Sequence, residues 1–476
     1  MSKKSEVFLM LIGIYLFSLA ACANRTEPAS VPTLVINQAT PETQQIILAS
    51  ETPLPETATA TNPPPSAVPT ATSLPPTIPP AKESLPTSIG PMPIENITVE
   101  TKLGFHTEQA AGEKKYVVIL ADFPDVQRQI SIERLSDRML EFLNRYFSQV
   151  SYNQLKWQAS LTRRYTLPYP VSYYKISPRN LDVDKSKVLA LVQDAINAAD
   201  DEVTFSEDLY IMIALGATNE DYGMVGYSAV PGMLNFKNDS VLTSKSGEVI
   251  KNAVVFCENA HPGTYVHDTL HILGGVVDEI RVTPCLYDHD LQAKYFTAED
   301  WPKILIHMGY WDPLSSHFSF KRDLPPSGLS SWTKMRLGWI DPAKIKLVYP
   351  GETANVLLDP LGSEDPTTAV IKIPITENTY YLIENRQQVS FDENLPSSGV
   401  LILLADDSIY ECRHGEAPVK IMDADPLVPL MNNAAYDIGK NRIFIDRENR
   451  VAIILQNKVG LSYEILITTP DQVPTQ

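Results

Sequence analysis

Apolar positions follow two rhythms along this chain, and the rhythm changes near Pro342. Residues 116–121 (YVVILA) form a short β-branched run closed by Asp122-Phe123-Pro124-Asp125, which predicts a buried strand and a turn. Leu135, Met139, Phe142, Leu143, Tyr146, Phe147 and Val150 then recur at helical spacing on one face, so a helix is predicted to pack there. A second helix is predicted over 185–198, with Val188, Leu191, Val192, Ala195 and Ile196 as its stripe and Asp182 or Asp184 as N-cap. Buried strands follow at 209–215 and 253–257, the second running into a helix that carries HDTLH. Beyond Pro342 the pattern becomes period-two runs at 355–358, 369–373, 379–384, 400–404, 442–445, 451–455 and 463–467, broken by Gly, Pro, Asn and Asp. That pattern predicts an antiparallel β-rich domain after an α/β one. No internal repeat is evident.

The first hundred residues do not belong to either pattern. Lys3 and Lys4 precede an apolar run over 7–21 that is short for a membrane span and has the size of a signal-peptide core. It stops at Leu19-Ala20-Ala21-Cys22, which resembles a bacterial lipoprotein signal whose cysteine is lipidated. From Ala23 the composition turns to Pro, Thr, Ser and Ala, too poor in large apolar side chains to offset the entropy of ordering. A tether is expected, in extended polyproline conformations. The organisation read from these changes is a signal peptide over 1–22, a disordered linker over 23–98, an α/β domain over 99–345 and a β-rich domain over 346–476. The expected location is the outer side of the membrane, through a lipid anchor at Cys22.

Charge and cysteine count narrow the function classes. The 57 acidic residues outnumber the 39 basic ones and no long basic run follows the signal, so nucleic acid is not an expected partner. Of the four cysteines, Cys257, Cys285 and Cys412 remain after Cys22, too few for a disulfide scaffold in this length and enough for at most one internal bridge.

The chemistry concentrates in GTYVHDTLHILG, residues 263–274. His267 and His271 lie four apart, on one helix face, and can present both imidazoles to one metal ion. Val266, Leu270 and Leu273 supply the core-facing stripe, His261-Pro262 resembles a helix start, and Gly274-Gly275 would end it. A catalytic zinc takes three protein ligands and leaves a fourth position to water. The pattern falls one methylene short of HExxH, because Asp268 stands where the glutamate would be.

Several longer segments resemble one family. VVILADFPD is similar to its first strand and turn, RYFSQVSYNQLKWQASLTRRYTLPYPVSYY to the stretch where a helix ends and a strand leads to a tyrosine pair, and HDTLHILG to its zinc helix. SSWTKMRLGWI resembles the segment after the active site, and YYLIENRQQVSFDENLPSSGVLI its ENR strand and the hairpin beyond. Together, from about residue 115 to 468, they resemble the immune inhibitor A-like metallopeptidases, secreted bacterial zincins. The resemblance implies a zincin-like α/β domain, a Zn2+ cofactor and a protein or peptide substrate, with Asp268 as the catalytic base. It also implies a third ligand a few residues beyond His271. Here the family's HxxGLPD reads HILGGVVD, with one extra residue, which makes Asp278 the expected ligand; Glu279, His261 and the loop Tyr287-Asp288-His289-Asp290 are alternatives. The segment expected to support the metal from below reads Trp311-Asp312-Pro313-Leu314 without its methionine, Met308 lying nearby. These departures leave two functions open, a zinc endopeptidase that is weakly active, or a scaffold that has become a surface binding module.

Overall fold

The computed structural model describes residues 102–234 and 242–474, all within one compact unit, Ser84–Gln476. The signal with Cys22 and the linker over 23–98 lie outside the described residues. No helix among the described residues is long and apolar enough to cross a membrane.

The first half is a mixed sheet with helices on both faces. Strands β1 (Gly112–Asp122), β2 (Leu155–Thr166), β3 (Tyr210–Leu215), β4 (Gly226–Val230) and β5 (Asn252–Cys257) lie in the order β2-β1-β3-β5-β4. All neighbours are parallel except β4, which runs antiparallel to β5 along the edge. The unbroken apolar runs of β1 and β3 arise because both faces are buried. Val117, Ile119, Ile211 and Ile213 pack into one cluster with Val188, Leu191 and Ala195 of helix α2 (Lys185–Ala199), whose N-terminus Asp184 caps through the Ser186 N–H. Tyr116, Val118 and Met212 face the other way, toward helix α1 and helix α3 (Pro262–Gly274). Helix α1 runs over Ile132–Ser136, passes through a π-helical stretch at Asp137–Phe142 and ends at Leu143–Val150.

After α3 come a small hairpin, β6 (Val276–Val277) and β7 (Ile280–Arg281), and the short helix α4 (Ser331–Arg336). The second half is β-rich, as the alternating pattern predicts. One sheet orders β13 (Val419–Ile421), β12 (Gly399–Asp406), β11 (Thr379–Arg386), β10 (Val370–Pro374) and β8 (Ile345–Leu347). The other orders β14 (Ile443–Asp446), β15 (Val451–Val459), β16 (Ser462–Thr468) and β9 (Ala354–Leu358). Pairing is antiparallel throughout both except between β8 and β10. Alternate residues of β11 and β12 go to opposite sides. Ile383 and Ile402 join Ile453 and Ile465 of the facing sheet, while Leu382, Leu401 and Leu403 join the same cluster as Val118 and Met212. The two halves therefore share a continuous core.

Candidate metal centre

Helix α3 is built to hold its side chains in place. His261 caps it, Nδ1 accepting the Gly263 N–H at 3.0 Å, Pro262 opens the first turn, and Gly275 ends it at φ 62°, a left-handed conformation suited to glycine. Every residue from Gly263 to Gly274 is buried. Each of the helix's two imidazoles is oriented by a carbonyl. His267 Nδ1 lies 2.8 Å from the Pro313 oxygen and His271 Nδ1 lies 2.6 Å from the Thr283 oxygen. With both Nδ1–H groups donating, both Nε2 atoms carry lone pairs, and these atoms face each other at 3.0 Å. Cys285 Sγ completes the triangle, 3.5 Å from His267 Nε2 and 3.4 Å from His271 Nε2.

These three donor atoms, buried together and within 4.8 Å of one another, form a group that could hold a cation. Burial holds both histidines well below their usual pKa, so they stay neutral and available as ligands. Burial also pushes the Cys285 thiol up to about 11, against the pull of the Arg281 guanidinium and a hydrogen bond from Tyr287. A bound cation would reverse that and favour the thiolate. His267, His271 and Cys285 could thus hold a metal ion.

The group opens on a cavity of about 860 Å³ whose wall includes Asp268, Tyr287, His317 and residues Gly226 to Ser228 of the edge strand β4. Asp268 is buried, and its Oδ2 has no hydrogen-bond partner. Desolvation pushes its carboxyl up to about 8, although Arg281 and the Ser228 N–H favour the charged form. A Cβ at Gly226 would come within 3.0 Å of Asp268 Oδ2 and 2.6 Å of Thr264 Cγ2, so β4 approaches α3 this closely only because residue 226 lacks a side chain.

No family model matches the chain, and no curated protein matches it. The centre rests on its own geometry.

The structure brings together His267, His271 and Asp268 and leaves Asp278 out. The extra residue after Gly274-Gly275 does not loosen a turn. It makes a hairpin, with Asp278 (φ 49°) and Glu279 (φ 63°) as the two left-handed residues of its tip. Asp278 is exposed there, away from the donor triangle, and Cys285 stands in its place as the third donor. The hairpin returns the chain to α3, where the Thr283 carbonyl meets His271 and Cys285 follows two residues later.

The other candidates have structural roles. His261 is the helix cap, Asp288 caps a short turn of helix through the Leu291 N–H, and Asp290 pairs with Arg413. His289 Nδ1 lies 2.9 Å from Asn180 Nδ2, and Met308 is buried in the core. Tyr287 lines the cavity and stacks on His267, ring centres 5.7 Å apart. Pro313, in the supporting segment, supplies the carbonyl for His267. The sequence signal for Cys285 was its donor chemistry, a thiol fourteen residues after His271, which an expectation of a carboxylate obscures. All three described cysteines are free and buried.

Proposed function

We propose that the chain is a zinc-dependent endopeptidase of zincin-like fold, exported and tethered to a membrane through Cys22, that cleaves proteins or peptides outside the cell. The observation that carries this reading is the meeting of His267 Nε2, His271 Nε2 and Cys285 Sγ at the wall of a cavity shared with Asp268 and an edge strand. Two imidazoles and a thiolate suit zinc, with a fourth position left for water or substrate. Zinc bound there supplies a polarised substrate carbonyl and an acidified water.

The chain's own residues would do the rest. Strand β4, at the sheet edge, offers backbone groups beside which an extended peptide can lie. As water adds to the scissile carbonyl carbon, Asp268 takes its proton; the carbon–nitrogen bond then breaks and the proton passes to the leaving amine. The Pro313 and Thr283 carbonyls keep both imidazoles in one tautomer throughout. One observation favours the binding-module reading instead, the reach of Asp268, whose carboxylate sits one methylene nearer the helix than a glutamate's.

The test is hydrolysis of unfolded casein by the full chain, with and without a chelator. Slow cleavage, lost on chelation and restored by zinc, is expected. Bound zinc without cleavage favours the binding module, and neither zinc nor cleavage removes both readings. For the tether, Cys22→Ser should move the processed protein to the soluble fraction; unchanged membrane attachment rules out lipidation at that cysteine.

A further inference from the structure

The ENR strand of the β-rich half has no role in the chemistry described so far, yet it carries a buried ionic cluster bonded to the segment that orients His267. Arg386 and Glu384 of β11 are 0 % exposed. All five guanidinium N–H groups of Arg386 have acceptors. Nε and Nη2 form a fork on Asp392 at 2.8 and 2.7 Å, Nη1 donates to Glu384 Oε1 at 3.1 Å and to the Trp311 carbonyl at 3.0 Å, and Nη2 also donates to the Gly328 carbonyl at 3.0 Å. Glu384 Oε2 accepts the Ser331 N–H, at the start of α4. Arg386 and Glu384 thus clasp the segment at Trp311 and the start of α4.

From Trp311 the connection to the metal centre is two residues long. Asp312, also buried, accepts the Leu314 N–H through Oδ1 and the Ser330 N–H and Thr333 hydroxyl through Oδ2, each at 2.8 Å. These bonds close the 311–314 turn and tie it to α4. Its Pro313 carbonyl is the one that fixes the His267 tautomer. The carbonyl that orients His271 is twelve residues away in sequence, whereas the one that orients His267 is 46 residues away.

We propose that Arg386 is a positioning residue for the metal centre, setting the Pro313 carbonyl against His267 through the 311–314 turn, so that the β-rich half is part of the site's construction. The inference rests on the metal-binding reading above. A guanidinium suits this position because it satisfies two carbonyls and two carboxylates at fixed angles, which a lysine cannot do.

Zinc affinity of the full chain, measured by competition with a chromophoric chelator, tests this, together with the visible spectrum of the cobalt-substituted protein. Arg386→Lys should weaken zinc binding by about tenfold to a hundredfold, as loss of the group orienting a ligand does, and shift the cobalt bands. Asp312→Asn, which keeps the side-chain size, should act in the same direction and decides the matter if Arg386→Lys does not fold. Ile453→Ala, in the core between the two C-terminal sheets, controls for general destabilisation; it should lower Tm and leave zinc affinity and the cobalt spectrum unchanged. Folded Arg386→Lys or Asp312→Asn protein that binds zinc as the wild type does overturns the proposal, as does an equal loss of affinity in Ile453→Ala. Absence of zinc binding by the wild type overturns it together with the metal-centre reading, whereas zinc-dependent cleavage indifferent to these variants overturns it alone.

Discussion

The cluster around Arg386 and the one around His267 are both buried, and they differ in how their atoms are matched. Each of the five N–H donors of Arg386 has an acceptor, supplied by two carboxylates and two carbonyls. Around His267 two lone pairs face each other at 3.0 Å with a sulfur alongside, and Asp268 Oδ2 and His317 Nε2 have no partner. Burying a polar atom without a partner costs stability. The unmatched atoms fit the metal-binding proposal, and the matched cluster shows that this chain can satisfy buried charge from its own residues.

The contrast predicts opposite responses to removing a charge. In the matched cluster, Glu384→Ala removes one of the two carboxylates that hold Arg386, and breaking a buried pair costs about 3–5 kcal/mol; chemical denaturation should show a loss of that size. A loss under 1 kcal/mol would mean that the cluster is not holding the two halves together. In the unmatched cluster, Asp268→Asn should leave the metal-free protein as stable as the wild type or stabilise it by about 1 kcal/mol, since it removes a buried carboxyl with an unpartnered oxygen, while abolishing cleavage. A clear destabilisation would place Asp268 among the structural groups.

The same position gives a gentler test. Asp268→Glu restores the missing methylene, and if proton transfer limits turnover, cleavage should rise by about tenfold or more, within the range general-base catalysis spans. Gly226 leaves the room in which that longer side chain must fit. Lower turnover in Asp268→Glu would instead reveal a site shaped around aspartate.

Much of the scaffold was legible because its signals are local. The apolar runs of β1, β3, β11 and β15 and the stripe of α2 with its Asp184 cap each follow from residues within a few positions of one another. Strand β4 was not, because Gly226-Tyr227-Ser228-Ala229-Val230 is short and half made of small residues; it is a strand because β5 pairs with it and α3 covers it. The site divides in the same way. The histidine pair can be read from one helical turn, and Asp268 comes with it. The third donor depends on where a two-residue turn sends the chain: read as a loose loop, 274–279 delivers Asp278 to the metal, but as a hairpin it puts Asp278 in solvent and brings Cys285 in. The Pro313 carbonyl and its Arg386 clasp join segments far apart in sequence, and no local pattern announces them.

Zinc content, measured by mass spectrometry on the full chain and four variants, decides whether His267, His271 and Cys285 are the donor set. One zinc per chain is predicted for the wild type and for Asp278→Ala, with loss in His267→Ala and His271→Ala and weakened retention in Cys285→Ser. A wild type that takes up no zinc, or zinc kept by Cys285→Ser and lost by Asp278→Ala, would contradict it.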